Sequence, residues 1–270
     1  MKLINSFFLS LLCIIAATSC NSGSNTDNAN AAATATADSA GSGSVDGFKL
    51  GVQMWTFRMF SVTDALNKVD SAGIKNIEAF FGQPLGGDMK GNFGPEMDAG
   101  TRAKLKALLQ SKGISIVAMG VISPKDKAEW VKAFDLAAEF GLSYITSEPK
   151  KDQWDMVDSL AGAYAIKVAI HDHPKPSGYW SPDSVLAAIK GHSNIGACAD
   201  IGHWPRSGLD PVECLKKLDG HVIGVHLKDI VAFDVINAAD TVVGKGIIDY
   251  PAVFKELKKQ NFNGMLSIEH

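Results

Sequence analysis

The chain has 270 residues, of which 46% are hydrophobic, and a formal net charge of -3. The length suits one large domain or two small ones, and the hydrophobic fraction is typical of a water-soluble α/β protein with a buried core. A weakly acidic chain without a block of Lys and Arg residues is a poor match for nucleic acid, because phosphate binding requires a basic surface. We therefore expect a small, neutral or weakly acidic ligand.

Residues 1–20 predict an export signal rather than part of a fold. Lys2 precedes an apolar run from Phe7 to Ala17 that is too short to span a bilayer but suits the core of a signal peptide. The segment that ends at Cys20 resembles a bacterial lipoprotein signal, in which the cysteine becomes the lipidated N-terminus. An ordinary cleaved secretory signal is the alternative. We expect a lipid-anchored protein on the periplasmic side of the cell envelope, which contacts the membrane only through this anchor.

Residues 21–47 consist almost entirely of Asn, Ser, Gly, Ala, Thr and Asp. Such a segment buries too little apolar surface to offset the entropy lost on ordering, so we interpret it as a flexible tether. It leads into a folded domain at 48–270. Cys198 and Cys214 in that domain could pair in an oxidising compartment, but both lie in apolar segments and are predicted to be buried free thiols.

From Lys49 onward, short apolar runs alternate with longer segments of helical period, which is typical of repeated βα units. Eight strands are predicted, at 50–55, 73–80, 114–119, 142–147, 167–170, 195–199, 222–225 and 265–268. Helices are predicted at 63–72, 101–112, 125–140, 152–164, from 181, at 211–218 and at 249–260. The glycine-rich stretch 82–100 is long enough for an active-site loop. This pattern predicts a single-domain (β/α)8 TIM barrel, whose final covering helix is expected to be missing or atypical.

Ionisable side chains stand at the ends of most predicted strands. They are Glu78, Glu148, His171, His173, Asp200, His203, His226, Lys228, Asp229 and Glu269. The carboxyl ends of all barrel strands converge on one face, where TIM-barrel active sites are built. Two Glu, one Asp and one His would form a ligand set suited to Mn²⁺, Mg²⁺, Zn²⁺ or Co²⁺. Such a cation polarises a carbonyl and stabilises an enediolate, with carboxylates as base and acid.

Four motifs carry a resemblance to a known family. They are Ile170-His-Asp-His-Pro174, Ala199-Asp-Ile-Gly-His-Trp204, Val225-His-Leu-Lys-Asp229 and Ser267-Ile-Glu269. From about Lys49 to its end, the chain resembles the xylose isomerase-like barrels, also called sugar phosphate isomerases/epimerases. That family includes ketose 3-epimerases, inosose dehydratases and endonuclease IV. The resemblance implies that Asp200, His226 and Glu269 are metal ligands.

The fourth ligand departs from the family pattern. Ketose epimerases of the family take a glutamate from the tip of the fifth strand, where this chain has His171. Glu148, one strand earlier, is predicted to replace it and to complete a metal set with Asp200, His226 and Glu269. Ligation by His171 itself is the alternative. In that case one of the two acid-base carboxylates is lost, and a symmetric two-base epimerisation is not expected.

The remaining tip residues are assigned to catalysis and substrate binding. The predicted catalytic residues are Glu148, Glu269, His171, His173 and Lys228, and the predicted substrate-binding residues are Glu78, His203, Trp204 and Trp55. Packing explains the aromatic residues almost as well as stacking on a sugar ring. Lys228 and Asp229 could be a simple ion pair. His192 and His221 are predicted to lie on the opposite face of the barrel, away from the site.

Together these residues predict a divalent-metal-dependent isomerase or epimerase that acts on a free sugar or keto-sugar through an enediolate. A phosphorylated substrate is not expected outside the cytoplasm. Two alternatives stay open. One is a metal-dependent lyase or dehydratase acting on a 3-keto-glycoside or an inosose, and the other is a sugar-binding lipoprotein without catalysis. A homo-oligomer is compatible with the sequence.

Overall fold

A computed structural model describes residues 44–270 of the chain. The predicted signal peptide, Cys20 and most of the predicted tether lie outside these residues, so the lipid anchor stays a prediction. Ser44–Val45 form a short strand antiparallel to the start of the first barrel strand. The turn between them runs through Asp46 and Gly47, at φ 51° and 85°. Within the described part of the chain, no helix combines the length and the apolar character needed to cross a membrane.

Eight parallel strands form the barrel. Numbered β1 to β8 in chain order, they are Phe48–Gln53, Asn76–Ala79, Ser115–Ile122, Tyr144–Ser147, Lys167–His171, Ile195–Asp200, Val222–Leu227 and Met265–Ile268. Each strand pairs with the next, and β1 pairs with both β2 and β8, which closes the sheet. The predicted (β/α)8 TIM barrel is confirmed, with strand boundaries shifted by a few residues.

Among the described residues, seven helices of at least seven residues each connect successive strands and cover the barrel, and a shorter helix, His203–Arg206, follows β6. The seven are α1 Val62–Ser71, α2 Ala99–Lys112, α3 Lys127–Phe140, α4 Trp154–Tyr164, α5 Pro182–Ile189, α6 Pro211–Lys217 and α7 Tyr250–Lys259. Helices α2 and α3 begin where the side chains of Asp98 and Asp126 accept backbone N–H groups. They end at Gly113 and Gly141, both in the left-handed conformation that glycine adopts without strain.

The glycine-rich stretch between β2 and α2 is an ordered wall rather than a free loop. It contains a hairpin of Pro84–Gly86 and Met89–Asn92. Leu85 of this hairpin is fully buried in the core. At the far end, the Arg102 guanidinium donates hydrogen bonds to the carbonyl oxygens of Pro95 (2.6 Å) and Met97 (2.9 Å). These contacts fix the wall beside the carboxyl ends of β2 and β3.

Buried side chains of mixed size fill the barrel interior below the strand tips. The cluster comprises Val117, Ala118, Tyr144, Ala169, Cys198 and Met265. Cys198 and Cys214 are both buried and free, which confirms the predicted thiols. The barrel therefore gives the strand tips at the carboxyl face a packed floor.

Candidate metal centre and active-site pocket

Four ionisable side chains from four strands converge at the carboxyl end of the barrel. His171 ends β5, Asp200 ends β6, His226 lies near the end of β7, and Glu269 follows β8. One potential ligand atom from each side chain lies within 4.8 Å of the others, and all four residues are buried. They meet because parallel strands end level with one another: His226 stands in register with Asp200 on one side and with Ser267 on the other.

Within the described residues, several of the converging atoms make no hydrogen bond. These are Nε2 of His171, Oδ2 of Asp200 and Nδ1 of His226, all buried, although Lys228 forms an ion pair with Oδ2 of Asp200. Nε2 of His171 lies 3.6 Å from Oδ2 of Asp200, and Nδ1 of His226 lies 2.8 Å from Oε2 of Glu269. Because buried polar atoms normally have partners, this convergence fits a divalent cation bound by two imidazole nitrogens and two carboxylate oxygens.

The orientation of His226 supports the same interpretation. Its Nε2 lies 2.9 Å from Oε2 of Glu78, and the Ser267 hydroxyl donates to the same oxygen at 3.3 Å. An N–H at Nε2 leaves the Nδ1 lone pair directed toward the other ligands, as in other carboxylate-supported metal sites. Glu78 is fully buried beneath His226 and does not line the cavity described below. The structure thus puts this predicted substrate-binding residue beside a candidate ligand.

One carboxylate oxygen of Asp200 faces the other three candidate ligands, and the second oxygen accepts hydrogen bonds from the backbone that follows β6. Oδ1 accepts the backbone N–H groups of Gly202 (2.9 Å) and His203 (3.0 Å), and the Asp200 N–H donates to Oδ1 of Asp172 (2.8 Å). Burial acts to raise the pKa of Asp200, but the Lys228 ammonium beside it outweighs burial and holds the pKa well below its ordinary value. Asp200 is therefore ionised at neutral pH.

Lys228 supplies a buried positive charge between the two carboxylates. Its Nζ lies 2.9 Å from Oε1 of Glu269 and 3.1 Å from Oδ2 of Asp200. Burial acts to lower the pKa of Lys228, but the two carboxylates raise it above its ordinary value. Asp229 is not its partner, since that carboxylate accepts backbone N–H groups of Gly244 and Gly246 instead. Lys228 therefore balances charge within the group.

His203 contacts a residue that the sequence interpretation missed. Nη1 of Arg206 lies 2.8 Å from Nδ1 of His203, and a guanidinium can only donate. Nε2 of the same ring lies 3.2 Å from Nζ of Lys228 and 3.5 Å from Oδ2 of Asp200. Burial lowers the pKa of His203 well below its ordinary value, so the ring is neutral. Trp204, predicted to bind substrate, is instead packed into the core at 1% exposure.

Glu148 lies beside the converging group and is bound to His173. Its Oε1 lies 2.6 Å from Nδ1 of His173 and accepts the backbone N–H of the same residue at 3.3 Å. The Ser177 hydroxyl donates to Oε1 at 3.4 Å. Nδ1 of His171 is farther away, at 4.0 Å. Burial acts to raise the pKa of Glu148, but His171 and His173 hold it below its ordinary value. This geometry favours His171 over Glu148 as the fourth ligand.

A cavity of about 250 Å³ opens beside this group. It is lined by Gln53, Trp55, Phe80, Phe81, Gly120, Val121, His171, His173 and Glu269. Trp55 is half-exposed and stands edge-on to Phe80 at 5.2 Å between ring centroids. Gln53 closes one wall by donating to the carbonyl oxygen of Gly120 at 3.0 Å. A polar residue at the end of β1 was the only sequence signal for Gln53. The cavity has one wall of titratable residues and one of aromatic residues, and among residues 44–270 no Lys or Arg lines it.

A larger cavity, of about 550 Å³, lies at the amino-terminal ends of β5, β6 and β7 between His192 and His221. His192 is bound there to Asp155 (2.8 Å) and to the carbonyl oxygen of Ala188 (2.6 Å). The two histidines thus lie away from the strand tips, as the sequence predicts. Because this cavity contains none of the converging ligands, the candidate active site is the smaller cavity at the carboxyl face.

The sequence is similar to that of known proteins. Residues 66–270 match the family model of the xylose isomerase-like TIM barrel. An inosose dehydratase from Clostridium botulinum is 30% identical over 142 residues, which cover 44% of this chain and 47% of the relative. The chain therefore spans about half the length of the curated relatives it matches.

Solved structures extend the likeness over the whole barrel. An uncharacterized protein from Parabacteroides distasonis is 38% identical with a TM-score of 0.69, over 83% of this chain and 91% of that one. The IolI protein with a bound zinc atom has a TM-score of 0.64 over 82% of this chain and 88% of that one. At 18% identity, this second likeness concerns the fold alone.

Proposed function

The chain belongs to the xylose isomerase-like TIM barrel family, and from this premise we propose that it is a metal-dependent lyase or dehydratase acting on a keto-sugar or an inosose. In this reaction a proton leaves the carbon next to the carbonyl, and the oxygen substituent on the following carbon departs with a proton. The product is an unsaturated ketone plus water or an alcohol, so atoms and charges balance.

The observation that carries the proposal is the contact between Glu148 and His173. The chain has an imidazole, His171, where a second acid-base carboxylate would stand at the tip of β5, and Glu148 is bound to His173 at 2.6 Å. A carboxylate on Nδ1 fixes the ring and leaves the Nε2 lone pair free to accept a proton, as in other carboxylate–histidine pairs. His173 is 46% exposed in its side chain and lines the cavity, where a substrate can reach it.

His171, Asp200, His226 and Glu269 would hold the divalent cation. When bound, the cation supplies Lewis-acid polarisation of the substrate carbonyl and so acidifies the adjacent C–H bond. The protein contributes the remaining groups. Lys228 keeps Glu269 and Asp200 ionised, and Glu78 fixes the tautomer of His226. The aromatic wall around Trp55 excludes water and offers a face for the sugar ring.

His173 then serves as both base and acid. Its Nε2 accepts the proton from the carbon next to the carbonyl, and the resulting imidazolium is stabilised by the Glu148 carboxylate. The imidazolium returns the proton to the departing oxygen as the carbon–oxygen bond breaks. One imidazole on one face of the ring suffices for this elimination, whereas inversion of a stereocentre requires a second group on the opposite face.

An isomerase or epimerase is the second candidate, and one observation favours it. Glu269 lines the same cavity as His173, so two acid-base groups of different kind are available to one substrate. The inosose dehydratase relatives support the elimination instead, since their likeness extends over 44% of the chain at 30% identity.

Turnover of an inosose and of a 3-keto-glucoside by the metal-loaded full chain tests the proposal, with the unsaturated ketone followed by ultraviolet absorbance. His173→Gln is expected to lower kcat by about 10²–10⁴-fold, the usual contribution of general acid-base catalysis. His192→Gln, a matched change at the opposite end of the barrel, should leave kcat unchanged. Formation of an epimer without any unsaturated product would contradict the proposed elimination and support epimerisation. Full activity in His173→Gln would remove His173 from the reaction.

A further inference from the structure

We infer that the active-site cavity continues into a second subsite that binds a neutral ring joined to the keto-sugar through the departing oxygen, an inference that rests on the proposed function. The cavity at the candidate metal centre shares Phe81 and Val121 with a neighbouring cavity of about 400 Å³. This second cavity lies over the tips of β2 and β3 and the start of α3. Phe81 and Val121 thus line both spaces, which lie next to each other.

The sizes of the two cavities suit one ring each. Pockets for drug-sized ligands have volumes of about 300–1,000 Å³. The inner cavity, at about 250 Å³, falls below that range and holds a compact ligand such as a single sugar ring. The outer cavity, at about 400 Å³, has room for a second ring of similar size. A free monosaccharide or an inosose would leave this outer space to solvent.

The outer cavity has the chemistry of a neutral-ring site. Apolar and polar residues share its walls. The apolar ones are Phe81, Pro95, Val121, Ile122 and Pro124, and the polar ones are Ser123, Glu96, Glu129 and Lys132. Nζ of Lys132 is bound to Glu96 at 2.9 Å, so its charge is already compensated. The two carboxylates disfavour a phosphate or another anion but can accept hydrogen bonds from hydroxyl groups. Apolar faces with a few polar groups at the rim are typical of sites for sugars and aromatic rings.

The walls of the outer cavity are fixed in advance. Arg102 holds the Pro95 carbonyl oxygen at 2.6 Å and is itself bound to Glu139 of α3 at 2.5 Å. On the other side, the Ser147 hydroxyl donates to the carbonyl oxygen of Ile122 at 2.6 Å. A site whose walls are already positioned loses little conformational entropy on binding, and its contacts add directly to affinity. The substrate class that follows is a 3-keto-glycoside rather than a free keto-sugar or an inosose.

Binding measurements test this inference separately from the reaction. Titration calorimetry would compare the 3-keto derivatives of methyl glucoside, cellobiose and 4-nitrophenyl glucoside on the full chain carrying His173→Gln, which slows turnover. At least one two-ring compound is expected to bind about tenfold more tightly than the methyl glucoside derivative. Preference for the cellobiose derivative identifies a sugar ring as the occupant, and preference for the nitrophenyl derivative identifies an aryl group.

Ser123→Trp, added to this background, should fill the outer cavity and abolish the preference while leaving affinity for the one-ring compound unchanged. Ala128→Trp is the matched control, because Ala128 is exposed on α3 and does not line the cavity. The inference is overturned if neither two-ring compound binds more tightly than the one-ring compound, including the case of no measurable binding. It is also overturned if Ser123→Trp retains the preference. Failure of the elimination assay with these binding results intact would overturn the proposed function alone.

Discussion

Replacing Glu78 by Gln turns a buried carboxyl group behind a candidate metal ligand into an amide while keeping the size of the side chain. The Glu78 carboxylate is fully buried, and its Oε2 lies 2.9 Å from Nε2 of His226 and 3.3 Å from the Ser267 hydroxyl. A neutral amide oxygen accepts the same N–H bond but donates less electron density to the imidazole. Supporting groups of this kind change metal affinity by about 10–100-fold, which corresponds to about 1.4–2.7 kcal/mol.

Competition with a chromophoric chelator measures this effect on the full chain, with Zn²⁺ and Mn²⁺ as separate probes. Glu256→Gln is the matched control, because Glu256 is also nearly buried but lies on α7 beside Lys259 and Gln260. We expect weaker metal binding in Glu78→Gln and unchanged binding in Glu256→Gln. Equal affinity in both variants and the wild type, with the fold intact by circular dichroism, would refute the assignment of His226 as a ligand supported by Glu78.

Four other substitutions test separate parts of the structure. His171→Gln should lower bound metal in elemental analysis, whereas Glu148→Gln should retain the metal and lower kcat; the reverse result would return Glu148 to the ligand set. Glu139→Gln should lower the free energy of unfolding in urea by about 0.2–1 kcal/mol at pH 7, because Lys106 and Arg102 lower the pKa of this carboxyl. The stabilisation by Glu139 is fully present above the pKa of about 4.3 that this group has in the unfolded chain, and it is lost as the pH falls through the lower pKa of the folded state. A substitution that lowers the free energy of unfolding at pH 2 as much as at pH 7 would contradict this. Gly120→Ala should cost about 1–3 kcal/mol, since a Cβ would lie 2.3 Å from a backbone oxygen of β4, and an unchanged Tm would contradict this.

The barrel fold and three of the four candidate metal ligands could be predicted from the sequence, because both can be read from where the apolar strands end. Asp200, His226 and Glu269 each follow a short apolar run, and parallel barrel strands bring such ends to one level. The structure brings these three side chains within 4.8 Å of one another together with His171. The resemblance to the family implied the same three residues.

The choice between Glu148 and His171 depends on distances that sequence patterns do not contain. Both residues lie at strand tips, and a difference of a few ångströms in side-chain position decides which one faces Asp200, His226 and Glu269. Glu148 is drawn to His173, whose backbone and ring both contact it. A local hydrogen-bond network of this kind depends on loop geometry after β5, which periodicity does not predict.

The sequence also does not show which of the residues near the strand tips are exposed to the cavity and which are buried. Glu78 and Trp204 stand near strand tips like their neighbours, yet both are enclosed, at 0% and 1% exposure. Arg206 escaped notice because its contact with His203 depends on a short helix of four residues, His203–Arg206. A basic residue three positions after a histidine is a weak signal unless a helical turn is already known to be there.

Proton NMR in D₂O tests the central claim most directly. The full chain would be incubated with a 3-keto-glucoside, once loaded with a divalent metal and once after chelator treatment. We predict that the metal-loaded protein removes the proton next to the carbonyl and releases the alcohol with formation of the unsaturated ketone, and that chelation stops both events. Equal reaction rates with and without metal, or an intact glycoside whose neighbouring carbon has only exchanged its proton for deuterium, would contradict the proposed metal-dependent elimination.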